Sequence, residues 1–122
     1  MKKLFKYCLV PFAYCLISYA ISAQPKPEFR GVWVATVDNI DWPSSKNLSS
    51  EAQKNEFIKL LDMHKANGMN AIVMQIRPST DAFYPSPYEP WSEWLTGTQG
   101  LPPSPYYDPL QFMLTETHNI SI

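Results

Sequence analysis

The stretch 70-NAIVMQIRPSTDAFYPSPYEPWSEWLTG-97 decides the architecture. It begins with the apolar run Ala71-Ile72-Val73-Met74, and polarity enters at Gln75, Arg77 and Asp81. A short apolar run of this kind reads as a strand covered on both faces, with polar groups gathered at its C-terminal end. Side chains alternate along a strand, so Gln75 and Arg77 are expected on one side of it. From Pro78 onward the chain is dense in Pro, Tyr and Trp, the composition of a shaped loop rather than a flexible one.

Upstream, 29-FRGVWVATV-37 is apolar at nearly every position and reads as a second buried strand, closed by Asp38-Asn39-Ile40-Asp41-Trp42-Pro43. A helix lies between the two strands. Ser50 and Gln53 have capping-box spacing at its start, and Phe57, Leu60, Leu61 and His64 mark an inward face with Ile58 beside them. Gly68 stands where a left-handed C-terminal cap is needed, with Met69 as its hydrophobic partner. Strand, helix and strand in close succession form a βαβ unit, which implies a parallel pair.

Downstream, Asp108-Pro109 announces another helix, because Asp is a preferred N-cap and Pro fits the first helical turn. Leu110, Met113, Leu114 and Thr117 mark its inward face. Asn119 is expected to end it in a left-handed conformation, and Ile120-Ser121-Ile122 to begin a third strand. The order β-α-β-α-(β) defines an α/β fold, either an open doubly wound sheet or the N-terminal part of a (β/α)8 (TIM) barrel. A barrel needs about 250 residues, so this 122-residue chain is expected to be an incomplete, N-terminal portion of a longer protein.

The first 23 residues read differently. Met1-Lys2-Lys3-Leu4-Phe5-Lys6 is cationic, Tyr7 to Ser22 is apolar, and Ile21-Ser22-Ala23 supplies small residues before Gln24. This is the pattern of a secretory signal peptide cleaved near Ala23–Gln24, too short for a spanning helix. The expected division is a signal peptide over 1–23, a proline-stiffened lead-in over 24–28, and the α/β portion over 29–122. Cleavage removes Lys2, Lys3 and Lys6, shifting the formal charge from −1 to about −4, and removes both cysteines, Cys8 and Cys15. An exported chain is then left without a disulfide framework. No basic cluster remains, which argues against nucleic acid or an anionic membrane surface as a partner, and no stable membrane insertion is expected after cleavage.

In parallel α/β folds, sites form where loops leave the C-terminal ends of strands. Here those positions are Asp38, Asn39, Asp41 and Trp42 after the first strand, and Gln75, Arg77, Ser79, Thr80 and Asp81 after the second. Eight of the chain's 12 prolines lie between Pro78 and Pro109, lowering the entropy lost when the long loop takes one shape. Its aromatic residues either pack on one another or offer flat faces to the C–H faces of sugar rings, with Gln, Asp and Arg for the hydroxyls. A carbohydrate-binding wall is expected. Asp38, Asp41, Asp81, Glu89 and Glu93 invite comparison with glycosidases, which use paired carboxylates. Asp38 and Asp81 are the candidates, though the spacing assigns no pair. An Arg next to a carboxylate equally suits a structural ion pair. No metal-ligand cluster, glycine-rich phosphate loop or serine elbow is present, so neither metal nor cofactor is expected.

With these residues laid out, the chain resembles glycosyl-hydrolase-like family 10, exported bacterial barrel proteins distinct from the family 10 xylanases. The matching stretches are EFRGVWVATVDNIDWPS (28–44), NAIVMQIRPSTDAFYPSPYEPWSEWLTGTQG (70–100) and YDPLQFMLTETH (107–118). The resemblance implies a (β/α)8 barrel that hydrolyses O-glycosidic bonds in a polysaccharide; some relatives act on cell-wall glycan strands stripped of their peptides. Asp38, Gln75, Arg77, Asp81, Tyr84, Trp91 and Trp94 match the family pattern. With Asp41 and Trp42 they form the expected substrate-binding set. Two departures stand out. The family's His-Ala-Trp-type motif and later acidic residues, which follow strand three, are not in this sequence, and a plain signal peptide replaces the lipobox of some relatives. A non-catalytic glycan-binding protein and a truncated gene product without activity of its own remain the alternatives.

Overall fold

Strands β1 (Gly31–Val34) and β2 (Ala71–Met74) pair in parallel, with Gly31 opposite Ala71 and Val34 opposite Met74. Helix α1 (Ser50–Ala66) connects them, the short helix α2 (Glu93–Thr96) lies within the following loop, and α3 (Pro109–Asn119) comes last. This is a computed structural model, and it describes residues 28–120. The expected signal peptide and residues 121 and 122 of the expected third strand lie outside that range. The result is a mixed α/β arrangement around a two-stranded parallel sheet.

Local chemistry explains the helix ends. Ser49, rather than Ser50, is the N-cap of α1, its hydroxyl accepting from Ala52 N at 3.2 Å. The expected capping box therefore does not form. Ser50 is buried and donates instead to Pro105 O (2.6 Å), while the Gln53 amide donates to Leu95 O (2.7 Å). At the other end, Gly68 sits at φ +78 and donates to Lys65 O, and Met69 N donates to His64 O. Those two bonds form the Schellman motif anticipated there. Asp108 caps α3 by accepting from Gln111 N at 3.1 Å. Asn119 is the last residue of α3 rather than a left-handed terminator, and Ile120 comes next at φ −95 as the C-cap.

The core joins Val34 of β1, Phe57 and Leu61 of α1, Leu95 of α2, Met113 of α3, and Trp42 and Phe83 from the loops. Each such side chain contributes on the order of 1.5–3 kcal/mol by leaving water. The Trp42 and Phe57 rings meet edge to face at 5.7 Å between centroids. The opposite face of the sheet is bare among the described residues, with Trp33 59% and Val73 41% exposed. The expectation of strands covered on both faces holds here for the helix side alone. An apolar pocket of about 110 Å³, lined in part by Ile72, Met74, Leu110 and Met113, lies between β2, α1 and α3.

β1 is shorter than the apolar run that suggested it. Beyond Val34 the neighbouring strand supplies a side chain in place of backbone acceptors. Gln75 Oε1 accepts from both Thr36 N (2.9 Å) and Val37 N (3.1 Å), which turns the chain out of the ladder. Asn70 does the equivalent at the other end, accepting from Arg30 N and donating to Glu28 O, each at 2.7 Å.

Candidate functional site

The C-terminal ends of β1 and β2 are clamped together. In addition to the two bonds accepted by Gln75 Oε1, the Thr36 hydroxyl donates to Gln75 O at 2.7 Å. After this clamp the β1 chain makes a tight turn in which Asp38 and Asn39 both have positive φ, 54 and 53. Asp and Asn tolerate that region better than other non-glycine residues. The turn leaves Asp38 exposed. The Asn39 amide donates to both Pro43 O and Trp94 O, each at 2.8 Å, fastening the turn to α2. Asp41 folds back on the strand end, its Oδ2 accepting from Ala35 N at 2.8 Å.

A second strained turn comes after β2. Thr80 has φ 55, an outlier for a β-branched residue. Strain of this kind costs about 1–3 kcal/mol and concentrates at functional positions. Asp81 supports the turn from below, its Oδ1 accepting from Ser79 N at 3.1 Å. Its side chain is 1% exposed and its Oδ2 has no hydrogen-bond partner among the described residues. Asp81, expected at the ligand surface, is thus buried under the turn that carries Thr80.

The long loop beyond this turn is ordered by its own contacts. Ala82 and Trp91 form a parallel bridge, and Ser92 caps α2 by accepting from Trp94 N at 3.3 Å. Arg77 pairs with Glu89, and the Tyr84 hydroxyl donates to the other Glu89 oxygen at 3.4 Å. Two expected site positions, Arg77 and Tyr84, therefore share one polar cluster through Glu89, with Arg77 still 55% exposed. Trp94 is half-buried, its indole nitrogen 3.5 Å from Ser79 Oγ and its ring 5.6 Å from Lys46 Nζ. Trp91 packs edge to face with the exposed Tyr106 at 6.3 Å.

Trp42 departs from expectation. It is 1% exposed, and its indole donates to Gln53 O at 2.9 Å inside the core. The apolar cluster around Phe57 and Phe83 claims the ring because burying a large aromatic surface outweighs exposing it. Two residues contribute without having been singled out. Thr36 is the lone hydroxyl in the β1 run, and its polarity there was the available signal. Lys46 lies in a loop with no pattern to mark it.

The arrangement gathers an exposed carboxylate (Asp38), an amide (Gln75), a guanidinium–carboxylate cluster (Arg77, Glu89) and indoles (Trp91, Trp94) on segments that leave two clamped strand ends. Such groups bind hydroxyls and ring faces. Among the described residues, no group of three or more His, Cys, Asp or Glu side chains is placed to hold a metal ion. No helix among them is long and apolar enough to cross a membrane.

Comparison with known proteins points the same way. The glycosyl hydrolase-like 10 family profile matches residues 28–122. The chain is 57% identical over 102 residues to glycosyl hydrolase YngK of Bacillus subtilis (strain 168), covering 84% of this chain and 20% of that protein. It is 41% identical over 106 residues to glycosyl hydrolase DigH of Escherichia coli (strain K12), covering 81% of this chain and 24% of that protein. It thus spans about a fifth to a quarter of the length of these relatives.

Proposed function

The chain belongs to the glycosyl hydrolase-like 10 family, and from that premise we propose that it forms the first βα units of a (β/α)8 barrel in an exported glycoside hydrolase. The substrate is a polysaccharide, with cell-wall glycan strands the preferred class. The observation that carries this reading is the clamp between Thr36, Val37 and Gln75. It sets two parallel strand ends side by side, with Asp38 and Arg77 on the segments leaving them, as a site at the C-terminal mouth of a barrel requires. Trp33 and Val73, bare here, would face the barrel interior. The signal-peptide pattern of residues 1–23 supports export to the periplasm or the exterior, with cleavage near Ala23–Gln24.

Within this segment the side chains bind and position the glycan. Asp81 is buried and Glu89 is held by Arg77 and Tyr84, so neither is free to act as proton donor or nucleophile. The acid pair of a glycosidase, two carboxyl groups about 5–9.5 Å apart, is accordingly assigned to later strands, with Asp38 the one exposed carboxylate of the matched set that this segment brings to the mouth.

The test is a reducing-end assay on the full-length protein with polysaccharides that include cell-wall glycan. Release of new reducing ends, abolished by neutralising an acidic pair at the barrel mouth, is the expected result. Binding without turnover across a broad panel would overturn the enzymatic reading in favour of a glycan-binding protein.

A further inference from the structure

Glu89 is carried by a closed and anchored loop. Ala82 N donates to Pro90 O at 2.9 Å and Ser92 N donates to Ala82 O at 3.0 Å, so the two ends of 82–92 are tied together. Phe83 fixes the loop to the body of the protein. Its ring is fully buried, and its N–H donates at 3.1 Å to the carbonyl of Ile76, the residue before Arg77. At the tip, Ser86 Oγ accepts from both Tyr88 N and Glu89 N at 3.2 Å each. Pro85, Pro87 and Pro90 restrict the backbone between these ties.

Both oxygens of the carboxylate are engaged. Glu89 Oε1 accepts from Arg77 Nη2 and Oε2 from the Tyr84 hydroxyl, and the Glu89 side chain is 19% exposed. Arg77 is placed differently. Most of its guanidinium faces outward, and Glu89 is its one hydrogen-bond partner among the described residues. An ion pair with one such exposed member adds little to stability. What the pair does achieve is orientation, because a guanidinium gripped through one nitrogen keeps the other N–H groups of its planar fork in a fixed direction.

We infer that Glu89 is a positioning residue, holding the Arg77 guanidinium so that its open N–H groups take the hydroxyls of a sugar unit, with Tyr84 steadying Glu89 from the other side. The inference rests on the glycan reading above and assigns the residues behind one of its contacts. Arg77 touches the ligand, and Glu89 acts through Arg77. Pre-orienting a long, flexible side chain lowers the entropy lost when the ligand binds.

The experiment follows reducing-end release by the full-length protein from cell-wall glycan strands stripped of their peptides, with KM and kcat measured separately. Arg77→Gln is expected to raise KM about ten-fold and Glu89→Ala about five-fold, with kcat little changed in either. Glu89→Gln keeps one acceptor oxygen and should recover part of that loss; Tyr84→Phe should raise KM about two-fold. In the Arg77→Gln background Glu89→Ala should add nothing, because a residue that acts through another has no effect once that other is gone. If Glu89→Ala fails to fold, the isosteric Glu89→Gln carries the same comparison. An equal KM effect of the Glu89 change in both backgrounds would overturn the inference while leaving the glycan reading intact. So would a fall in kcat at unchanged KM, which would make Glu89 a group of the chemical step itself. Strands bound but not cut would overturn the enzymatic reading alone, and the same double-mutant comparison in dissociation constants then decides the role of Glu89. Strands that the unaltered protein does not bind would overturn both proposals.

Discussion

The Tyr107 hydroxyl donates a 2.7 Å hydrogen bond to Gln53 Oε1 inside the core, across 54 positions of sequence. Gln53 also holds Leu48 and Leu95 through its amide and lies beside the Trp42 indole, which donates to Gln53 O. One side chain thus ties α1 to the loop that carries the candidate site and to the segment leading into α3.

Tyr107→Phe leaves Gln53 Oε1 without its donor, at an expected cost of about 1–3 kcal/mol at neutral pH. Burial, with the Glu51 carboxylate adding to it, raises the Tyr107 phenol above its ordinary value of 10.0. The stability this lends is complete below pH 10 and falls as pH rises toward the folded-state value, because the unfolded phenol ionises first. Urea midpoints of the full-length protein from pH 7 to 11 should show a steep alkaline loss that Tyr107→Phe reduces. An unchanged alkaline slope would contradict the assignment.

Gln75→Ala strips the acceptor from Thr36 N and Val37 N together. Two backbone donors lose their partner, so about 2–4 kcal/mol of stability should go, and the β1 end should fray. Gln75→Glu retains an oxygen in place and is expected to lose less. Amide exchange at Val37 reports the fraying directly and should accelerate in Gln75→Ala.

Trp42 and Trp94 should separate cleanly. Trp42→Ala is expected to cost about 3–5 kcal/mol through cavity formation, seen as a large drop in the thermal midpoint. Trp94 is half-buried at the proposed glycan surface, so Trp94→Ala should weaken oligosaccharide binding several-fold with a smaller loss of stability. Equal stability losses from the two would place Trp94 in the core instead.

Gly68→Ala isolates a backbone effect. The nearest atom to an added Cβ is Arg30 Nε at 4.0 Å, so space is open, yet φ is +78. The cost should be purely conformational, about 1–2 kcal/mol, and Gly68→Asn should recover part of it. The difference in denaturation midpoint between those two variants is the measurement.

Local chemistry was readable from the chain. The Gly68-Met69 terminator and the Asp108-Pro109 start act within one helical turn, and both appear where the residues indicated. The Ser50–Gln53 capping box failed for the opposite reason. Both side chains had better partners far away, Ser50 at Pro105 and Gln53 at Leu48, Leu95 and Tyr107. A short-range motif gives way when tertiary packing offers its polar groups buried partners.

The sequence by itself determined the βαβ order, the helix punctuation at Gly68 and Asp108, and the family, because periodicity and cap residues act through neighbours in the chain and the matching motifs are contiguous. It also pointed to the strand ends as the place for a site, since polar residues collect where each apolar run ends. What only the tertiary structure decided was the fate of individual side chains in the stretch 70–97 and around it. Trp42 and Trp94 have the same chemistry, but Phe57 and Phe83 enclose one, while the other keeps an open side next to Lys46. Asp81 and Asp38 are likewise both strand-end carboxylates, one sealed under a turn and the other exposed. Burial is a property of what folds over a residue, and that covering comes from distant parts of the chain.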